Sequence, residues 1–241
     1  VQSIFYDIIS IFDALKYADT LLILGVSGCI ILPFVKLFSK KKIIVNIDGM
    51  EWKRAKWRKE AKWFLKFSEK LAVKYADIVV TDNKIIQDYV LSTYGKQAEM
   101  IAYGADHVNR EALTKDVLDT YPFLSEGYAF KVCRIEPENN VHLILEAFSE
   151  FAALNIVIVG NWNHNDFSKQ LKLKFNDFDN IFLLDPIYNQ HTLNQLRSNC
   201  YLYVHGHSAG GTNPSLVEAM YLALPIIAYD INYNMETTEN K

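Results

Sequence analysis

Short apolar runs alternate with amphipathic stretches along most of this chain. Thr20–Leu24, Lys42–Ile47, Asp77–Thr81 and Glu99–Ala102 read as strands. Between them lie a Gly-Val-Ser-Gly loop with a helix to about Phe38, a long amphipathic helix Trp52–Tyr75, and a helix Lys84–Tyr94. The pattern loses its period around Gly104–Thr120. A second series follows, with strands Tyr128–Cys133, Asn155–Gly160, Asn180–Leu184, Tyr201–His205 and Pro225–Tyr229. Its helices are Val141–Ala153, Phe167–Phe175, Thr192–Ser198 and Pro214–Leu224. Strand–helix alternation of this kind predicts parallel sheets covered by helices. The fold class is therefore α/β, with two successive Rossmann-like domains, 1–107 and 108–241, and ligand expected at the carboxyl ends of the strands. The residues after Val1 already read as mid-domain, and Ile231–Lys241 carries no finished helix, so truncation at both ends is expected.

Composition narrows the class without changing this picture. Of 241 residues, 50% are hydrophobic and 22% charged, an ordinary globular balance with enough chain for two modest cores. Cys29, Cys133 and Cys200 are scattered among apolar runs with no metal-like spacing, which predicts buried, reduced thiols. No signal peptide is evident. The apolar run Leu21–Phe38 is interrupted by Ser27, Gly28, Pro33 and Lys36, and reads as strand–loop–helix, not as a membrane span.

Charge is distributed unevenly. The net charge of −3 conceals a window, residues 36–74, holding 13 of the 25 Lys and Arg and a local net charge of +9. The helix read within it carries Trp52, Trp57 and Trp63 with Phe64 and Phe67 among lysines that include Lys59. Such a helix can lie on an anionic membrane, aromatics at the headgroups and cations on phosphates. The competing reading is an amphipathic helix that buries its aromatics on its own sheet. Nucleic-acid binding finds no accompanying motif.

The chemistry concentrates in HGHSAGGTNPSLVEAMYLALPIIAYD, residues 205–230. A strand enters a loop with Gly210 and Gly211, then a helix opened by Pro214, then another strand. Pro fits a first helical turn because its missing N–H costs nothing there. Free amides and the positive dipole end make a helix N-terminus a phosphate site, with Thr212, Asn213 and Ser215 as the candidate donors. Glu218, one turn in, is placed to accept hydrogen bonds from sugar hydroxyls. The pattern suggests an anionic, hydroxylated ligand such as a nucleotide sugar, against an ordinary βα unit with a solvated Glu.

This segment resembles glycosyltransferase family 4, retaining enzymes of GT-B architecture with two Rossmann-like domains facing across a cleft. Glu218-Ala219-Met220 matches the second glutamate of that family's paired-glutamate signature, whereas the first falls on Gly210. The GGTNPS variant is similar to a bacterial rhamnosyltransferase-like subgroup of surface-polysaccharide synthesis. Ile101–His107 resembles the family's entry into its second domain, and VCRIEPENNV, residues 132–141, its diphosphate loop. Arg134 matches the diphosphate-binding arginine, while the family's lysine falls on Asn139.

The resemblance implies roles for these positions, each with a plainer alternative. Arg134 would chelate diphosphate oxygens and stabilise the leaving group, or else form a surface ion pair with Glu136 or Glu138. Gly211, Thr212, Asn213, Ser215, Glu218 and His207 would line the donor site, with Glu218 on the ribose and Asp185–Tyr188 near the base. Asp48 would bind the acceptor hydroxyl or act as its base; the alternative is a tight Asp48-Gly49 turn. Trp52, Trp57 and Lys59 are assigned to the acceptor or membrane side. Asp82-Asn83 could line the acceptor cleft or cap the next helix. His205 and His207 lack further ligands at metal spacing, so they are read as cleft lining or buried hydrogen-bonded histidines.

The implied function is sugar transfer, with rhamnose as the subgroup's sugar, from a nucleotide-sugar donor to a lipid-linked saccharide acceptor. The setting is capsule or O-antigen type synthesis at the cytoplasmic face of the cell membrane. No metal, cofactor or nucleic acid is expected. A non-catalytic nucleotide-binding relative, a GT-B nucleotide-sugar epimerase and a phosphorylase-like enzyme stay open.

Overall fold

The computed structural model describes residues 2–47, 49–54 and 57–239. It divides into two compact units: Gly104–Ser208 with Asn213–Asn234 form the second, and the rest of the chain forms the first.

In the first unit the apolar runs pair into one parallel sheet of β1 (Thr20–Leu24), β2 (Lys42–Ile47), β3 (Ile78–Thr81) and β4 (Glu99–Met100), in that spatial order. Alternation decides which side chains are inside: Ile43, Val45 and Ile47 of β2 are buried while the residues between them are less so. Helices α1 (Gln2–Ala14), α2 (Leu32–Phe38), α3 (Lys59–Tyr75) and α4 (Lys84–Tyr94) belong to this unit. Asn83 caps α4 by accepting from the Ile85 amide at 2.9 Å, so its capping role is realised. Gly95, at φ 65°, ends α4 in the left-handed conformation that glycine adopts without a Cβ penalty.

The long helix expected over Trp52–Tyr75 is shorter than that. Glu51–Lys53 forms a separate 3-10 turn, Arg54 is extended at φ −60° and ψ 137°, and α3 begins only at Lys59. The physical cause lies in the tryptophans. The Trp52 indole N–H donates to Glu69 at 3.1 Å and that of Trp57 to Glu51 at 3.1 Å, which holds both rings half-buried in a turn. Glu69 is fully buried and also accepts from the hydroxyls of Tyr89 and Tyr94, each at 2.5 Å. Lys66 stands 3.6 Å from Glu69, with its ammonium 4.2 Å from the Trp52 ring centroid. A cation, a carboxylate and three aromatic rings thus satisfy one another within the unit.

The second unit is built on a five-stranded parallel sheet of β5 (Tyr128–Val132), β6 (Asn155–Val159), β7 (Ile181–Leu184), β8 (Leu202–His205) and β9 (Ile226–Ala228), in the order β7-β6-β5-β8-β9. Successive side chains feed opposite faces. Ala129, Ile156 and Ile158 pack with Trp162, Leu171 and Phe175, while Tyr128, Phe130, Val157 and Tyr203 pack with Leu196 and Ala219. The helices are α5 (Lys115–Thr120), α6 (Val141–Glu150), α7 (Asp166–Phe175), α8 (Gln190–Ser198) and α9 (Pro214–Tyr221). Within Gly104–Thr120, read as aperiodic, α5 buries Val117. Where no finished helix was expected, α10 (Asn232–Thr237) forms, because the Asn234 amide donates to the carbonyls of His207 and Tyr229.

The cysteines are unpaired, and burial pushes the Cys29 and Cys200 thiols up to about 12 and about 11. Among the described residues no helix is long and apolar enough to cross a membrane.

Candidate functional site

In the second unit the strand order locates the site before any side chain does. From β5 the chain steps outward through β6 to β7, then returns to place β8 on the other side of β5. The order therefore reverses between β5 and β8, and a crevice outside the carboxyl ends of strands at such a reversal is where open α/β sheets bind ligands.

Two loops leave the sheet at this point and are tied together. After β5 come Cys133–Asn140; after β8 come Gly206, His207 and Ser208. The Ser208 amide and hydroxyl donate to the Glu138 carbonyl at 2.8 and 2.9 Å. Asn140 donates to the Gly206 carbonyl at 2.9 Å, and His207 Nδ1 lies 3.1 Å from Asn139 Oδ1. Gly206 is needed for this contact, since a Cβ there would stand 2.4 Å from the Asn139 carbonyl oxygen. Asn139, where the resemblance places a lysine, thus bonds His207 and, through its side-chain N–H, the Arg134 carbonyl at 2.9 Å.

Arg134 is exposed beside this crevice and forms no salt bridge among the described residues. The alternative of an ion pair with Glu136 or Glu138 is not realised. Both of those carboxylates are buried, and among the described residues both oxygens of Glu138 and Oε2 of Glu136 have no hydrogen-bond partner.

His205 is 2% exposed, with neither ring nitrogen hydrogen-bonded among the described residues. Burial, reinforced by the charges of Lys131 and His207, pushes its pKa down to about 2, so it is neutral at ordinary pH. Lys131 is itself buried, which lowers its pKa. His207 is buried as well. Among the described residues no group of three or more His, Cys, Asp or Glu could hold a metal ion.

At the start of α9, Asn213 accepts from the Ser215 amide at 3.0 Å and from its hydroxyl at 2.7 Å. That amide, expected to face phosphate, is already used as the helix cap. The Tyr203 hydroxyl donates to Ser215 Oγ at 2.9 Å, locking the cap to β8. Glu218 is held from both sides, by Arg197 at 2.5 Å on Oε2 and by His107 at 3.0 Å on Oε1. Asp185 and Tyr188, assigned to the base, are exposed after the edge strand β7.

Other assigned residues fall in the first unit. Gly211 packs there against Asp82 and Ile86, and the Thr212 hydroxyl donates to the Asp82 carbonyl at 3.2 Å while accepting from Asn83 at 3.0 Å. Lys59 is exposed. Asp48 lies outside the described residues.

Arg197, Lys131 and His107 escaped the sequence reading, and Glu138 entered it only as a surface partner for Arg134. A signal existed for two of them. Arg197 sits on the apolar stripe of Leu193 and Cys200, and Lys131 lies between Ala129 and Cys133 on a buried strand face. A lone charge at an apolar-period position marks a buried ion.

Residues 122–241 match the family model for glycosyl transferases group 1, and residues 1–106 match a domain of unknown function, DUF1972. Residues 122–241 are a group 1 glycosyl transferase domain. No curated protein matches the chain significantly. Among solved structures, it is similar to Anabaena Alr3699/HepE in complex with UDP-glucose (TM-score 0.75, 16% identity, 95% of this chain and 64% of that one). Sucrose-phosphate synthase from Thermosynechococcus elongatus is also similar (TM-score 0.74, 14% identity, 95% and 60%). So is UDP-GlcNAc 2-epimerase from Neisseria meningitidis bound to UDP-GlcNAc (TM-score 0.66, 14% identity, 98% and 67%). These likenesses establish the GT-B type of α/β fold. The chain spans less than two thirds of the length of the Anabaena structure, 64%. The carboxyl ends of β5 and β8, with the loop that carries Arg134 and Glu138, lie inside the group 1 domain.

Proposed function

We propose that this chain is the greater part of a glycosyltransferase that moves a sugar from a nucleoside-diphosphate donor to a saccharide acceptor. The observation that carries the reading is Arg134: an exposed guanidinium without a salt bridge among the described residues, at the strand-order reversal of a group 1 domain. A guanidinium there can chelate a diphosphate bidentately and stabilise the charge that develops on the departing nucleotide. Glu218, its carboxylate fixed by Arg197, is positioned to accept ribose hydroxyls once His107 gives way. UDP, bound by the similar Anabaena protein, is one candidate nucleotide, and dTDP, as the carrier of the rhamnose that the resemblance implies, is another. Retention at the anomeric carbon, rhamnose as the sugar, and Asp48 on the acceptor belong to the same reading and rest on the family resemblance alone.

A lipid-linked acceptor in surface-polysaccharide synthesis, met at the cytoplasmic face of the membrane, agrees with α3. Lys59, Trp63, Phe67, Lys70 and Lys74 share its exposed side, and Trp63 is 71% exposed and stacked on Phe67. The membrane-facing aromatics in this reading are Trp63 and Phe67, since Trp52 and Trp57 are held in turns by their indole hydrogen bonds.

Calorimetry with dTDP, UDP, GDP and ADP tests the donor site. One nucleotide should bind selectively, and Arg134→Ala should weaken it by about tenfold to a hundredfold, the worth of a hydrogen bond to a charged group. Unchanged affinity in the variant would remove Arg134 from the site. A second reading, nucleotide-sugar epimerase, is favoured by the epimerase structures of the same fold. It predicts conversion of UDP-GlcNAc with no acceptor present, where the transferase reading predicts none.

A further inference from the structure

The loop after β5 that carries the exposed Arg134 also carries a buried carboxylate, Glu138. Glu138 is 7% exposed, and neither Oε1 nor Oε2 has a hydrogen-bond partner among the described residues. A buried carboxylate without donors is costly, and such groups are retained where a ligand completes them. Its backbone is not free to relieve the cost by turning outward. The Glu138 carbonyl accepts two hydrogen bonds from Ser208, and the turn Pro137–Asn139 is closed by the Asn139 amide on the Glu136 carbonyl at 3.0 Å. Both segments sit at the carboxyl ends of β5 and β8, the pair of strands that flanks the order reversal.

Charge then divides the ligand between the two residues. A carboxylate repels phosphate, so Glu138 cannot share the diphosphate with Arg134. It accepts several hydrogen bonds, and neutral hydroxyls are the donors that a nucleotide sugar offers beyond its phosphates. A metal reading lacks companions, since no group of three or more metal-binding side chains occurs among the described residues. Gly210 has no side chain to offer such a hydroxyl and, at φ 112°, stands where residues with a Cβ are strained.

We propose that Glu138 is a specificity-determining residue that binds hydroxyls of the donor's sugar. The proposal rests on the transferase reading above and adds the residue that tells a nucleotide sugar from the bare nucleotide. Glu138→Gln keeps the shape, and the hydrogen bonds that pin this segment run through backbone atoms, so they survive the change.

Calorimetry of the protein with two probe pairs, UDP against UDP-glucose and dTDP against dTDP-rhamnose, provides the test. Wild type should bind the preferred nucleotide sugar more tightly than its nucleotide. In Glu138→Gln the nucleotide sugar should weaken about tenfold while the nucleotide stays within about twofold. Glu138→Asp, which keeps the charge and shortens its reach, should lose the same increment, and serves if the glutamine variant does not fold. Equal losses for sugar and nucleotide, or no loss for either, in a folded variant would overturn the role of Glu138 and leave the donor site standing. A wild type that binds none of the four probes would overturn the donor site itself and this proposal with it.

Discussion

The Arg197–Glu218 pair offers the sharpest test of how the group 1 domain holds the Glu218 carboxylate. Arg197 and Glu218 have side chains 2% and 14% exposed, and Nη2 stands 2.5 Å from Oε2. At that distance two unit charges attract by about 7 kcal/mol at an effective dielectric of about 20. Desolvation offsets most of it, so the intact pair adds little net stability. Removing one partner is different, because the other remains buried and charged. Arg197→Met should cost about 3–5 kcal/mol. Glu218→Gln should cost a similar amount, since Nε and Nη1 of Arg197 already lack acceptors among the described residues. The double variant leaves no uncompensated charge, so its cost should fall below the sum of the singles by more than about 1.5 kcal/mol. Urea unfolding of the four proteins reads this coupling directly, provided each transition is two-state. Single variants within about 1 kcal/mol of wild type, and additive to about 0.5 kcal/mol, would refute the argument that the pair is a buried, mutually dependent unit.

Two further outcomes follow from the same physics. His205 is neutral in the native state because burial holds its pKa near about 2, whereas in the unfolded chain it protonates below about 6.5. Between those values the unfolded state binds the extra proton, so stability falls as pH falls; by pH 4.5 the loss attributable to His205 is about 2–3 kcal/mol. Acid unfolding curves for wild type and His205→Phe should therefore diverge between pH 6.5 and 4.5, and parallel curves would refute the assignment. On α3, replacing Lys59, Lys70 and Lys74 with Glu should release the protein from anionic vesicles in a sedimentation assay. Equal sedimentation of variant and wild type would leave that face without a membrane role.

What the sequence made legible, and what it did not, divides along one line. Period-two and helical-period patterns located β1, β2 and α4 to the residue, because each buries one side of a regular element. The Trp52–Tyr75 helix was overextended because aromatics among lysines fit a helical period. Only Glu69, seventeen positions beyond Trp52, converts that stretch into a turn by accepting the indole N–H. The burial of Arg197 and of Glu138 is not legible for a related reason. Their burial depends on partners brought from other elements, or on a partner the protein itself lacks. Local pattern reports which face is wet, and it reports nothing about which polar groups are satisfied.

Gly210 shows the same limit from the opposite side. Against the family resemblance it reads as a lost glutamate, a side chain removed from an otherwise familiar loop. In the structure its φ is 112°, and a Cβ on Gly49 would stand 2.7 Å from its carbonyl carbon and 2.9 Å from the Gly211 nitrogen. Gly49 is itself at φ 70°. Two glycines at positive φ in backbone contact form a joint that side chains would force apart. The departure is thus a backbone requirement of the first unit, and restoring glutamate at 210 would strain this joint rather than repair a site. On the proposal above, the carboxylate for the donor sugar is Glu138, which is buried and has no hydrogen-bond partner among the described residues.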